Sequence, residues 1–222
     1  MGKNSLVMLC LLLFLCTEIK ASDYFGQIIL QEQTDVKEIH NCFAKYKQAI
    51  LNQRGVDAVL QVDSKTIKYY ADMKNIALRG KEDEVRQLST INKLMVLILR
   101  HRVEVEELNK MMPEDVFIYG VNQGWIGKNS VEKSDIGQIT VNDQQASAEY
   151  IVNGKSTGLK YQFSKENNSW KMDLTSVIPA SDQAFKALIR QENVNEDEFL
   201  LNLLESVSGK KVSKDIWQPL KP

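Results

Sequence analysis

The chain carries two histidines, His40 and His101, and three cysteines, Cys10, Cys16 and Cys42. The histidines fall in different helical stretches, and neither the HxxxH nor the HExxH spacing occurs. No cluster of cysteines exists either, so no zinc site is expected. GxGxxG and GxxxxGK[ST] are both missing, which leaves nucleotide binding unsupported. GxSxG is missing too, removing the commonest esterase signal. No cofactor is called for. With 28 basic and 29 acidic residues, the chain has no concentrated positive charge for nucleic acid to bind. What remains is aromatic: Tyr69, Tyr70, Tyr119, Trp125 and Tyr150 could line an apolar ligand pocket, although such residues also serve as ordinary core. Glycines around Trp125 in "NQGWIG" suggest a loop that could cover the mouth of a pocket.

The elements that must position these residues change character along the chain. Val36, Ile39, Phe43, Ile50 and Leu51 recur at helical spacing between Asp35 and Gln53, and Gly55 closes the segment. Ser64 suits the N-cap of a helix ending at Gly80. A long helix follows from Lys81 to Met112, apolar almost all round at "LMVLIL" and stopped by Pro113. After Pro113 the stretches "DVFIYGVNQGWIG", "IGQITV", "ASAEYIVNG", "LKYQF" and "SWKMDLTSVI" read as strands, separated by polar turns. Leu159, Tyr161 and Phe163 share one face of such a strand, and Trp170, Met172 and Leu174 share one face of the next. The expected sheet is an antiparallel meander with one covered face. Two helices close the chain, one capped by Ser181 and one over "NEDEFLLNLLESVSG", before "KKVSKDIWQPLKP" trails off.

The first residues read differently. Lys3 precedes eleven apolar residues, Leu6 to Cys16, and then a polar gap before Ala21. This is the pattern of a secretory signal peptide cleaved after Ala21. The apolar run is shorter than the ~20 residues a membrane span needs. A lipid anchor at Cys16 is disfavoured because Leu15 stands where a small residue belongs. Without residues 1–21 the chain keeps one cysteine, Cys42, which suits a small buried apolar role and cannot form an internal disulfide. Asn167 of "NNS" is formally a glycosylation acceptor.

Helices first and antiparallel strands after them give an α+β fold. The order of elements from Asp35 to Ile178, ending in "YQFSKENNSWKMDL", resembles the nuclear-transport-factor-2-like (SnoaL-like) superfamily. The resemblance implies a strongly curved sheet wrapped around N-terminal helices as a cone with a pocket. The final hairpin would be structural, with Trp170 packed over the helices and Lys171 facing water. It would place the family domain at residues 22–178, with residues 179–222 as a helical extension that it does not explain. Enzymes of this superfamily often hold an Asp, His or Tyr inside the cone. Asp115, Tyr119 and Asp173, in expected strands, are the positions that could serve as acid or base, and His101 could join them. Against this, the alternation around Asp173 suggests the solvent face, and His101 in "LRHR" suggests an exposed corner.

The expected function is that of an exported, periplasmic or secreted, non-catalytic module. It would bind a small apolar ligand, through Tyr70, Tyr119, Trp125 and Tyr150, or a protein partner. A second expectation is a cofactor-free isomerase, dehydratase or cyclase using Asp115 or Asp173 with Tyr119. A third is a structural subunit of an envelope assembly. Phe199 and Leu203 on the last helix would then contact the partner, unless that helix docks on its own sheet. A homodimer is compatible with the resemblance, and no membrane span is expected after cleavage.

Overall fold

The computed structural model describes residues 4–125 and 131–220, with side chains given for Gln27 and from Ile29 onward. The side chains of the expected signal segment, including Cys16, and Ile126 and Gly127 of "NQGWIG" lie outside the described residues. In chain order the helices are α1 (Asn4–Leu51), α2 (Gly55–Val59), α3 (Ser64–Arg79), α4 (Glu82–Arg86), α5 (Thr90–Arg102), α6 (Val105–Lys110) and α7 (Pro113–Asn122). The strands β1 (Ser134–Asn142), β2 (Gln145–Val152), β3 (Lys155–Glu166) and β4 (Ser169–Asp173) follow. A 3₁₀ turn (Leu174–Val177), α8 (Ile178–Glu192) and α9 (Glu196–Ser208) complete an α+β architecture. Among the described residues no helix is long and apolar enough to cross a membrane.

Residues 113–122, expected as a strand, form α7 instead. Pro113 sits in the first turn, where its fixed φ favours a helix and its missing N–H costs no bond. The Asp115 carboxylate accepts the Met112 N–H at 2.7 Å and so caps the helix start. Val116, Phe117, Gly120 and Val121 are buried, a spacing that only a helix places on one side. Burial here overrides the β preference of Val, Phe, Ile and Tyr. Three further boundaries differ. Asp63, not Ser64, caps α3, accepting the Thr66 N–H at 2.8 Å. The expected helix over 81–112 is split into α4, α5 and α6, with Ser89 capping α5 through the Asn92 N–H. Helix α8 begins at Ile178, so Ser181 lies inside its first turn and donates to the Val177 carbonyl at 3.0 Å.

The sheet is the expected antiparallel meander, in order β1-β2-β3-β4. Its hairpins turn on two residues each, Asp143–Gln144, Asn153–Gly154 and Asn167–Asn168. Asn153, Gly154, Asn167 and Asn168 all have positive φ, as tight hairpin turns require. Ile136, Ala146, Ala148, Tyr161, Phe163, Trp170 and Met172 are buried and pack with Ile39, Phe43, Tyr46 and Ile50 of α1. Leu159 differs from the expected pattern and is exposed. The free edge of β4 is covered by the α2–α3 link: Met172 N–H donates to Gln61 O at 2.8 Å and Asp63 N–H to Met172 O at 3.0 Å. Cys42 lies beneath this link, buried, its Sγ 3.4 Å from the Gln61 carbonyl. Gly55 fits where α2 crosses α7 because a Cβ there would come within 2.4 Å of the Ile118 carbonyl oxygen.

A second core lies among the helices. Met73, Ala77, Val96, Leu97 and Leu99 pack with Leu200 and Leu204 of α9 and with Ile216 and Trp217 beyond it. Helix α9 therefore docks on α5 rather than on the sheet. The last segment does not trail off: Ile216 and Trp217 are buried, and the Arg86 guanidinium lies 4.2 Å from the Trp217 ring centroid. Arg100 ties this core together, donating to the carbonyls of Ala77 (2.9 Å), Ile76 (3.1 Å), Gly80 (2.5 Å) and Ile216 (3.1 Å). With no carboxylate bonded to it, burial pulls its pKa down to about 10.

Candidate functional site

Helices α1, α3 and α5, strand β3 and the start of α8 meet around a cavity of about 260 Å³. Tyr46 comes from α1, Thr66, Tyr69 and Tyr70 from α3, Ile91 and Met95 from α5, and Tyr161 from β3. The 3₁₀ turn and the first turn of α8 supply Leu174, Thr175, Val177, Ile178 and Ser181, and Val131 completes the lining. None of these side chains is a carboxylate, an imidazole, an ammonium or a guanidinium. The wall is apolar surface dotted with hydroxyls.

Local folding explains how the tyrosines reach this place. Tyr69 and Tyr70 are adjacent on α3, and their rings meet edge-on with centroids 5.3 Å apart. Tyr70 also meets Phe117 of α7 edge-on at 5.2 Å, so α7 backs the α3 wall. Tyr161 stands between Phe43 of α1, at 5.9 Å, and Tyr150 of β2, at 4.7 Å. The α5 wall is held by Asp182 of α8, which accepts the Ile91 N–H at 3.1 Å and pairs with Lys186 at 2.7 Å.

The hydroxyls differ in what they already bond. Tyr69 donates to Asn92 Oδ1 at 3.0 Å, Ser181 to the Val177 carbonyl, and Thr175 to Asp173 Oδ1 at 2.5 Å. Thr66 accepts the Leu174 N–H at 2.9 Å and lies 3.5 Å from the Met172 carbonyl. Tyr46 and Tyr70 bond to no protein group among the described residues and face the cavity. They differ in this from Thr90 Oγ1 and Glu196 Oε1, which are sealed away from solvent and lie off the cavity wall. Glu196 Oε1 still has the Lys93 ammonium 3.3 Å away. Burial pushes the Tyr69 phenol up to about 12 and raises those of Tyr46, Tyr70 and Tyr161 as well. All four are neutral at physiological pH and can hydrogen-bond but cannot serve as bases.

Of the five aromatic residues expected at a pocket, Tyr69 and Tyr70 line this cavity, and Tyr119, Trp125 and Tyr150 do not. Tyr150 sits behind Tyr161. Tyr119 and Trp125 pair edge-on at 5.3 Å elsewhere, with the Arg102 guanidinium 5.0 Å from the Trp125 ring. Tyr46 and Tyr161 were missed, being indistinguishable in sequence from core positions. The three acid–base candidates are not brought together. Asp115 caps α7, and Tyr119 lies on that helix rather than on a strand. Asp173 is buried rather than on the solvent face. Its Oδ2 accepts from Lys65 at 2.7 Å and its Oδ1 from the Thr175 N–H at 2.8 Å. His101 is half-buried rather than an exposed corner, with Nε2 2.7 Å from Ser208 Oγ. Burial, aided by Arg102 and Lys210, lowers its pKa. On α9, Phe199 is half-buried and meets Phe185 edge-on at 6.4 Å, while Leu203 is half-buried as well.

Asp35 forms a buried polar centre away from the cavity. Its Oδ1 accepts from Lys165 Nζ at 2.6 Å and Trp170 Nε1 at 2.8 Å, and its Oδ2 from Gln31 at 3.2 Å. Each donor is a protein group, so the cluster fastens α1 to the last hairpin. Among the described residues no group of three His, Cys, Asp or Glu stands together as a set of metal ligands. Compared with protein-family models, curated proteins and solved structures, the chain matches none.

Proposed function

We propose that the protein is an exported, non-catalytic binding module that holds a small apolar ligand in the cavity between α3, α5 and the sheet. The observation that carries this reading is the lining itself, which among the described residues is four tyrosines and an aliphatic wall with no ionisable group able to act near neutral pH. An apolar cavity of roughly 150 Å³ is enough to hold benzene. At about 260 Å³ this one suits a molecule of one or two rings. Export rests on Lys3 and the apolar run from Leu6 to Cys16, and the single remaining cysteine agrees with a core that needs no disulfide. The reading of the fold as a nuclear-transport-factor-2-like domain draws its support from α1 packing on the buried face of the four-stranded meander.

The test is an NMR titration of the full chain with ethylbenzene. Saturable shifts confined to the methyl groups of Ile91, Met95, Leu174 and Val177 are expected, and Met95→Trp should abolish them by filling the space. Absence of saturable shifts, or the same shifts in the Met95→Trp protein, would contradict the reading.

A further inference from the structure

The cavity wall also says what kind of molecule it admits. Of the seven hydroxyls that line it, those of Tyr69, Thr66, Thr175 and Ser181 are bonded within the protein. Tyr161 packs edge-on against Tyr150 and shares a side-chain hydrogen bond with it. Tyr46, only 5% exposed, and its neighbour on the cavity wall, Tyr70, are left with O–H groups that no described residue accepts. Both hydroxyls face the cavity rather than being sealed from solvent, so an occupant that accepts from them takes the place of water there. Phenols are better donors than acceptors because the ring draws on the oxygen lone pair. Among the described residues the lining holds no cation to neutralise an anion and no carboxylate to neutralise an ammonium, and a charge buried without a partner is strongly disfavoured. The carboxylates bonded to lining residues are already engaged, Asp173 with Lys65 and Thr175, and Asp182 with Lys186 and the Ile91 N–H.

Resting on the reading of this cavity as a ligand site, we propose that it selects uncharged ring compounds bearing a carbonyl-type acceptor. Tyr46 and Tyr70 donate their phenol protons to that oxygen, while Ile91, Met95 and Leu174 cover the ring. The two tyrosines are specificity residues, and no bond is made or broken.

The experiment compares three probes of similar size, acetophenone, ethylbenzene and benzoate, by NMR titration of the full chain and of its Tyr46→Phe/Tyr70→Phe double variant. The expected result is that the ratio of acetophenone to ethylbenzene affinity falls about tenfold in the variant, corresponding to the loss of one or two hydrogen bonds. Ethylbenzene should bind both proteins alike, which also shows that the variant keeps its fold and cavity. Benzoate should not bind. An unchanged ratio, or benzoate binding as tightly as acetophenone, overturns the inference while leaving the binding function standing. Failure of ethylbenzene to bind the unaltered protein overturns the function itself, and this inference with it.

Discussion

Asp35 shows how much a single side chain can fasten. Burial acts to raise its pKa, but hydrogen bonds from Lys165, Trp170 and Gln31 outweigh burial, and the net shift is downward from 3.8. A carboxyl with a lowered folded-state pKa stabilises the protein above its unfolded value and loses that contribution as pH falls through the folded one. Acid unfolding monitored by Trp170 fluorescence should therefore show stability declining below about pH 4. Asp35→Asn should cost ~1.5–3 kcal/mol at pH 7, and should flatten that decline. A variant with the same acid slope as the unaltered protein would show that Asp35 is not its source. The sequence displays Trp170 as a hairpin residue but hides its partner, because Asp35 lies 135 residues away. The same distance problem hides the cavity. Tyr70 is recognisable as a candidate, whereas Tyr46 and Tyr161 become site residues only when α1 and β3 close on α3. The burial of Cys42 is legible, since a lone cysteine beside Phe43 on a helical face has few other uses. Packing raises its thiol to about 12, so reaction with a thiol reagent should be slow until the chain unfolds.

Among the elements, α3 and α5 depend on one guanidinium. Arg100 takes up carbonyls at the end of α3 and one in the final segment, a planar fork that lysine cannot reproduce. Arg100→Ala removes the guanidinium from the Ala77, Gly80 and Ile216 carbonyls, while Ile76 O keeps the Gly80 N–H, and urea unfolding should register a loss of ~3–5 kcal/mol. Arg100→Lys should recover less than half of it. Gly55 gives a smaller and more local test. Gly55→Ala must push α2 away from α7 and should destabilise by ~1–3 kcal/mol, although alanine favours helices. The meander is legible because alternation and Asn/Gly turns are local signals, and the hairpins close where those turns stand. Helix α7 is not legible, because the same Val-Phe-Ile-Tyr residues suit either state. The choice fell to Pro113, to the Asp115 cap and to the face the rest of the core had room for. The breaks that divide residues 81–112 into three helices escape notice for a related reason: Ser89 acts as a cap within an otherwise continuous apolar pattern.

Across the whole molecule, two cores share α3, one against the sheet and one against the C-terminal helices. Leu200, Leu204, Ile216 and Trp217 belong to the second, and burying each large side chain is worth ~1.5–3 kcal/mol. Removing residues 195–222 therefore takes away an amount comparable with the ~5–15 kcal/mol of a typical domain. The truncated chain should lose cooperative thermal unfolding, and a truncation that still unfolds sharply would show that α9 is dispensable. The apolar face of α9 was legible from its spacing, but its docking site on α5 was not, since nothing local distinguishes a helix that packs on its own chain from one that awaits a partner. The cavity lies where the two cores meet, with α3 and α5 forming its walls, so its shape depends on both. The most direct measurement is a crystal structure of the full chain grown with acetophenone. A tyrosine-lined ligand site predicts density for the ring between Ile91, Met95 and Leu174, with its oxygen within hydrogen-bond distance of the Tyr46 or Tyr70 hydroxyl. A cavity closed by rotation of Tyr70 and empty of the probe would contradict it.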